Sequence, residues 1–326
     1  MHPADAPTSP LLGPSAPSAA QGAGTGAFVA LIVANVALAF GPWFVRLADT
    51  GPVASGFWRI ALAAPLLVAL AWGPRIWSGG ARPTRLSPKL WWALMAGGVC
   101  FAADLASWHL GILRTTLANA TLFGNSATLI FPIYGFLVAR AWPTRAQGLA
   151  LALATVGAVL LMGRSYQLDP KNLTGDLLCL LAGVLYTVYF ICMARARDTM
   201  APLPALALST LASVGPLLLF AWLLGERIWP GDWTPLIGLA LASQVLGQGL
   251  MIYALGKLSP LVIGIALLTQ PVVAGTVGWI VYGERLGAPD LLGIALVAAA
   301  LVLVRRGPAV AEAGDEADIA REKEPA

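Results

Sequence analysis

Two full charges, Arg59 and Asp104, stand deep inside otherwise apolar stretches of this sequence. A charge in such a stretch is expensive to bury and is usually kept for a function, so the two residues mark a first candidate site. At a helical rise of 1.5 Å per residue, both lie about 10 Å from the same surface. Equal depth permits an ion pair with a structural or gating role. If Arg59 instead extends toward water, Asp104 could bind and release a proton and serve as a coupling residue.

Uncharged polar residues form a second candidate group. Asn125 and Gln270 lie near the middle of two apolar stretches, 145 positions apart. An amide both donates and accepts hydrogen bonds, which suits a zwitterionic or polar ligand, although amides equally serve to join helices. Helical spacing groups other polar and aromatic residues on shared faces, where they could line a cavity or simply pack. The candidate binding residues are Asn35, Trp108, Thr121, Asn125, Tyr186, Tyr189, Gln244, Gln248 and Gln270.

The elements that must position these residues are membrane-spanning helices. Of the 326 residues, 58% are hydrophobic and only 11% are charged, whereas soluble domains average roughly 25% charged residues. Apolar runs of about 20 residues recur along the chain, and the alternation of a membrane barrel is absent. We therefore expect an all-α polytopic membrane protein with ten spans, numbered 1 to 10 in chain order: 27–48, 52–72, 89–110, 114–138, 143–163, 174–195, 203–224, 232–255, 259–282 and 287–305.

The two ends of the chain differ from the spans. Residues 1–26 are rich in Pro, Ala, Gly and Ser and contain no Lys or Arg. This composition predicts a disordered tail and lacks the basic start of a signal peptide. Residues 307–326 are polar and acidic, and we expect a second disordered tail there.

The spans fall into two similar halves. At an offset of 145, Leu122 matches Leu267, and the alignment runs without a gap from Trp108 to Val159. We expect two five-helix repeats, residues 27–163 and 174–306. An odd number of spans in each half makes the second repeat run through the bilayer in the opposite direction. Such inverted repeats are typical of secondary transporters, whose halves exchange conformations around a shared site, although duplication could also build a scaffold.

The distribution of basic residues predicts the orientation. With the N-terminus inside, the inner segments hold thirteen Lys and Arg residues and the outer segments hold six. Positive charge accumulates in cytoplasmic loops, so both termini should be cytoplasmic.

The sequence resembles the drug/metabolite transporter superfamily, in its EamA-type branch of ten-helix transporters. The resemblance covers residues 27–306 and rests on YALGKLSP, on LLTQPVVAGTVGWIVYGERLGAPDLLGIALV and, more loosely, on WHLGILRTTLANATLFGNSATLIFP. The first half departs from the pattern, because Ser126 stands where the second half has Pro271. This branch includes amino-acid exporters of the YddG type. The resemblance implies a central cavity between spans 1, 3, 4, 6, 8 and 9, with spans 5 and 10 at the periphery.

Together these features predict a secondary transporter that exports small organic solutes, amino acids or related metabolites, across the cell inner membrane by alternating access. The alternatives are an exporter of drugs or other metabolites and a channel-like facilitator of the same fold. The spans hold no paired aspartates, Ser/His dyad or HExxH motif, so an enzyme is not expected. We expect a small-molecule substrate and the lipid bilayer as partners, no nucleic acid at a net charge of +4, and no cofactor. We expect no metal site, since the three cysteines lack ligand spacing.

The orientation can be tested by labelling single cysteines in a cysteine-free background. A cysteine at Gln167 should react with a membrane-impermeant maleimide added outside, and a cysteine at Gly79 should react only from the cytoplasmic side. The reverse pattern, or labelling of both positions from one side, would contradict the inverted-repeat arrangement.

Overall fold

A computed structural model describes most of the chain, namely residues 19–77, 86–115, 123–163, 172–282 and 287–306. These residues form helices and the turns that join them, with no strand among them. Three positions singled out in the sequence lie outside the described residues: Thr121, Gly79 and Gln167.

The helices follow the predicted spans closely. Six spans, numbers 2, 3, 5, 6, 7 and 10, are single helices: Pro52–Trp77, Pro88–Ile112, Arg145–Gly163, Leu173–Arg197, Pro202–Leu223 and Ala288–Arg306. The described helix of span 4 is Ala127–Ala139. The other three spans are divided. Span 1 consists of Ala19–Ala39 and Gly41–Leu47, and span 9 of Pro260–Leu267 and Thr269–Tyr282. Span 8 consists of Thr234–Leu239, a π-helix Ala240–Gln248 and Gly249–Leu255.

Six described helical segments are long and apolar enough to cross a bilayer. They belong to spans 1, 2, 3, 6, 7 and 8. The described apolar helices of the other four spans are shorter: Ala127–Ala139, Arg145–Leu160, Pro260–Val273 and Leu291–Val304. The chain is thus a multi-span helical protein, and the count of ten crossings stays a prediction.

The first helix begins at Ala19, inside the segment 1–26 that the sequence suggested would be disordered. Its opening residues, AAQGAG, include three alanines, and alanine has the highest helix propensity. The helix therefore starts before the predicted end of the tail, and the disorder of the tail stays a prediction.

Proline explains two of the divided spans. Pro271 has no N–H to donate to the carbonyl of Leu267, and its ring excludes a regular helix there, so span 9 is interrupted just before it. Pro42 stands in the same relation to Leu38 in span 1, and the second helix of that span starts at Gly41. Residues at both interruptions line the cavity described below.

The packing of the spans repeats when spans 1–5 are exchanged for spans 6–10. Span 3 packs on spans 6 and 7, and span 8 packs correspondingly on spans 1 and 2. Spans 2 and 7, 4 and 9, and 5 and 10 pack against each other. The main core joins spans 1–4 to spans 6–9, while a separate cluster joins spans 5 and 10 to the first helix of span 9. Spans 5 and 10 are therefore peripheral.

The two ends of the bundle are named here by the predicted orientation. The outer end carries the loops at 48–51 and 224–233, and the inner end carries those at 140–144, 198–201 and 256–259. At the outer end, the Glu226 carboxylate accepts hydrogen bonds from the backbone amides of Val53, at 3.3 Å, and Ala54, at 2.7 Å. These amides open span 2, where no helical carbonyl can reach them. Glu226 thus caps a helix of the other half of the chain.

Further contacts hold the same two loops together. The Asp49 carboxylate accepts a hydrogen bond from the Gly231 amide at 2.8 Å and lies 3.3 Å from an Arg227 guanidinium nitrogen. The Trp58 indole donates to the Ile228 carbonyl at 2.6 Å. We call the contacts of residues 49–58 with residues 226–231 the outer clasp.

Removal of the cap in the outer clasp should destabilise the protein. We expect Glu226→Ala to reduce the free energy of unfolding by about 1 kcal/mol, because two amides at a helix N-terminus lose their acceptor. The measurement is the melting temperature of the purified protein in detergent. Asp198→Ala is the matched control, since this exposed acid lies at a helix C-terminus, where a negative charge is not stabilising. Equal melting temperatures for wild type and Glu226→Ala would contradict the capping role.

Candidate functional site

A cavity of about 150 Å³ lies between spans 1, 2, 3, 4, 6 and 9. Most of its wall is apolar, as expected for a site that receives a small organic molecule. Six of the residues proposed from the sequence line it: Arg59, Asp104, Trp108, Asn125, Tyr186 and Gln270. The structure therefore brings together both charges, both mid-span amides and two of the aromatic rings.

Four other proposed residues lie behind the cavity wall. Asn35, Tyr189, Gln244 and Gln248 are buried and do not line the cavity. Three of them are amides, and each forms a hydrogen bond with a residue that does line it. These three amides fix the positions of side chains that line the cavity.

Gln270 is held by an amide of the other half of the chain. Its Nε2 donates a hydrogen bond to Asn35 Oδ1 at 2.9 Å, and Asn35 Nδ2 donates to the Leu31 carbonyl at 2.8 Å. Asn35 is completely buried. This chain of bonds uses one N–H of Gln270 and fixes its amide at the interruption of span 9, directly beside Pro271.

Arg59 is held in the same manner by span 8. Its Nε donates to Gln244 Oε1 at 3.2 Å, and Gln244 Nε2 donates to Thr210 Oγ1 at 3.1 Å. The carbon at the centre of the guanidinium lies 5.6 Å from the centre of the Phe101 ring, close enough for a cation–π interaction. A neutral amide and an aromatic face therefore orient this buried cation.

Asp104 faces the same cavity from span 3. Among the described residues, neither Arg59 nor any other cation comes within the 4.0 Å of an ion pair with its carboxylate. The ion pair that equal depth suggested is thus not formed. The structure instead presents the guanidinium of Arg59 and the carboxyl group of Asp104 to a common space.

Aromatic rings complete the wall next to these charges. Tyr186 lies nearly parallel to Tyr189, with 6.0 Å between ring centres, and Tyr189 stacks on Phe101 at 4.5 Å. The Tyr186 hydroxyl accepts a long hydrogen bond of 3.4 Å from Gln248 Nε2. The result is a rigid aromatic surface that continues under the Arg59 guanidinium.

The π-helix of span 8, Ala240–Gln248, supplies both glutamines of this support. A π-helix shifts the register of the following side chains and is often found at functional sites. The family resemblance implied that span 8 lines the cavity. In the structure, span 2 contributes Arg59 to the cavity wall. Span 8 lies behind the wall, since the exposed fractions of Gln244 and Gln248 are 0% and 1% and neither residue lines the cavity.

Toward the inner end the cavity is closed by spans 4 and 9. Ala127 and Leu267 mark its limit, and both are buried. Beyond them, a Cβ added to Gly264 would lie 2.5 Å from Pro132 Cγ and 2.8 Å from the Thr128 carbonyl oxygen. The two half-helices touch so closely here that only glycine fits.

Sequence reasoning missed Phe101 and Thr210, which support Arg59. Both look like ordinary residues of apolar spans, and no pattern links them to a charge on another helix. The interruption of span 1 could have been predicted from Pro42, because a proline inside an apolar segment interrupts a helix. No group of three His, Cys, Asp or Glu that could hold a metal ion occurs in the described parts of the chain.

Comparison with known proteins finds a family of transporters that resembles the second half of the chain. The family described as "EamA-like transporter family" matches residues 173–306, which include spans 6 to 10. The second half of the chain is thus similar to EamA-type transporters. The chain is a multi-pass protein of the inner membrane.

Several relatives resemble a longer part of the chain. An uncharacterized transporter of Archaeoglobus fulgidus is 28% identical over 145 residues, which are 44% of this chain and 48% of that protein. The threonine/homoserine exporter RhtA of Salmonella typhimurium is 26% identical over 261 residues, 77% of this chain and 82% of the exporter. RhtA of Escherichia coli K12 is also 26% identical, over 247 residues, 74% of this chain and 78% of the exporter.

A protein of known crystal structure shares the fold of this chain. Its TM-score is 0.70 and its sequence identity is 16%, with 87% of this chain and 98% of that protein aligned. At this identity the likeness concerns the arrangement of helices alone.

Proposed function

We propose that this protein is a carrier that exports small organic solutes, amino acids foremost, across the inner membrane. The observation that carries the proposal is the central cavity, whose wall combines two opposite charges, two amides and aromatic rings. Such a wall suits a small solute with both polar and apolar parts. Export as the direction and amino acids as the class are supported by the similarity to the threonine/homoserine exporters of Salmonella typhimurium and Escherichia coli.

The mechanism that we propose is alternating access between two inverted five-helix repeats. In support, the contacts between spans repeat when the two halves are exchanged, as two related halves would require. The inner halves of spans 4 and 9 are in close contact beyond the cavity. An exchange of conformations between the halves would separate these inner helices and bring the outer halves of the same spans together.

A counterflow experiment tests the carrier against a channel-like facilitator. Liposomes containing the purified protein are loaded with unlabelled L-threonine and diluted into a trace of labelled L-threonine. A carrier should accumulate the label transiently above its equilibrium level. Each unlabelled molecule that leaves the liposome exposes an empty binding site to the outside, where the site can bind the label. Saturable uptake with no such overshoot would favour a channel. Replacement of L-threonine by drugs or other metabolites tests the alternative substrates in the same assay.

The two mid-span amides are predicted to contact the substrate. We expect Asn125→Leu and Gln270→Leu each to raise the apparent KM for L-threonine by roughly tenfold, the effect of about one lost hydrogen bond to a charged group. Transport in liposomes gives the KM, and size-exclusion chromatography confirms folding. Thr276→Val is the control, since this span 9 hydroxyl bonds to the Val272 carbonyl of its own helix. An unchanged KM in both leucine variants would favour a packing role.

The contact of spans 4 and 9 is predicted to be the inner gate. Gly264→Ala should disfavour the inner-closed state, because the new methyl group overlaps Pro132 and overpacking costs about 1–3 kcal/mol. We expect a cysteine placed at Ala127 to react roughly tenfold faster with an impermeant maleimide supplied from the cytoplasmic side. In the control, Gly215→Ala, nothing lies within 4 Å of the added Cβ. The same reaction rate in both variants would contradict a gate at Gly264.

A further inference from the structure

We propose that Arg59 and Asp104 together form a receptor for a zwitterion, in which Arg59 binds the carboxylate and Asp104 binds the ammonium group of an α-amino acid. This inference rests on the proposed function, since it assigns a chemical class to the substrate of the same cavity. It goes further because it gives each charge a separate partner on the ligand.

The geometry of Arg59 suits a carboxylate. The side chain is only 7% exposed, and the surface that remains belongs to the cavity wall. Its Nε is occupied by Gln244, which leaves the two terminal nitrogens with no hydrogen-bond partner among the described residues. These two nitrogens present parallel N–H groups at the spacing of the two oxygens of a carboxylate. The guanidinium is therefore held by one edge and available at its end.

The geometry of Asp104 suits an ammonium group. Its side chain is 8% exposed, lines the cavity from span 3, and has no hydrogen-bond or ion-pair partner in the described residues. An ionised carboxylate can only accept hydrogen bonds, and a primary ammonium can only donate them. The same cavity thus contains an acceptor for the positive end of a ligand and a donor for its negative end.

The separation of the two charges argues for a ligand between them. A buried charge without a partner is costly, and two opposite charges in one cavity would normally approach each other. Here Gln244 and the face of Phe101 hold the Arg59 guanidinium on one helix, while Asp104 belongs to another. A zwitterion satisfies both groups at once. A ligand with only one charge leaves the other group buried and unpaired, which makes the cavity selective.

The rest of the wall would receive the ligand's side chain. Trp108, Tyr186 and Leu105 give apolar surface to the same cavity, and Asn125 and Gln270 give it polar groups. Such a surface accepts aliphatic and hydroxyl-bearing side chains without a third charge. We therefore expect neutral α-amino acids to bind better than acidic or basic ones.

The test is calorimetric titration of the purified full-length protein in detergent with three isosteric probes. L-Threonine has both charges, L-threoninamide lacks the carboxylate, and 2,3-dihydroxybutyrate replaces the ammonium with a hydroxyl group. The wild type should bind L-threonine at least about tenfold more tightly than either analogue, as expected for a charge-assisted hydrogen bond in a buried site. Equal affinity for all three probes would overturn the proposal without any variant.

Two variants assign each charge to its end of the ligand. Arg59→Gln should abolish the preference for L-threonine over its amide and keep the preference over the hydroxy acid. Asp104→Asn should do the reverse. A merely structural role would weaken all three probes equally. Arg114→Gln and Asp198→Asn remove the same kinds of charge from exposed positions outside the cavity and should leave both preferences unchanged.

Other outcomes separate this inference from the proposed function. Counterflow of L-threonine with no difference between the probes would keep the carrier and overturn the zwitterion receptor. Counterflow of an unrelated solute, with no saturable binding of L-threonine, would overturn both the receptor and the amino-acid assignment. If Asp104→Asn changes only the response of flux to an imposed pH gradient and leaves both preferences intact, Asp104 couples protons and the receptor is refuted.

Discussion

A guanidinium buried in an apolar helical bundle must have each N–H bonded or facing a polar space. This constraint organises the centre of the protein. Arg59 requires Gln244 as an acceptor, Gln244 requires Thr210 as its own acceptor, and the Phe101 ring covers the flat face of the cation. Three helices besides span 2 are thereby fixed around one side chain. The terminal nitrogens of Arg59, which this support does not bond, face the cavity.

Interrupted helices supply the space that the supported charge faces. A straight helix buries its polar backbone completely, whereas a proline leaves a carbonyl without its usual donor and bends the chain. Pro42 and Pro271 place such interruptions beside the cavity in spans 1 and 9, and Gln270 is fixed at one of them by Asn35. Toward the inner end, the same span 9 packs tightly on span 4 through Gly264. One span therefore serves both the binding site and its closure.

The helical, membrane-spanning class of the fold could be predicted from the sequence, but the contacts between the side chains of the candidate site could not. Hydropathy located most of the described helices within a few residues. Arg59, Asp104 and Gln270, which stood out as polar groups inside apolar spans, all line one cavity. Depth gives no direction around a helix axis, so it could not show that Arg59 bonds to Gln244 and leaves Asp104 unpaired. The π-helix that turns Gln244 into this position has no hydropathy signal. The outer clasp was missed because Glu226 lies in a loop far along the chain.

The presence of one positive and one negative side chain in a single cavity has an electrical consequence. Arg59 and Asp104 together contribute no net charge to the site, and a neutral α-amino acid adds none. The empty and the loaded protein then move the same charge through the membrane. A potential of 100 mV does about 2.3 kcal/mol of work on each elementary charge that crosses, and here it would do none on the solute. The membrane voltage would therefore leave the net flow of the neutral solute itself unchanged.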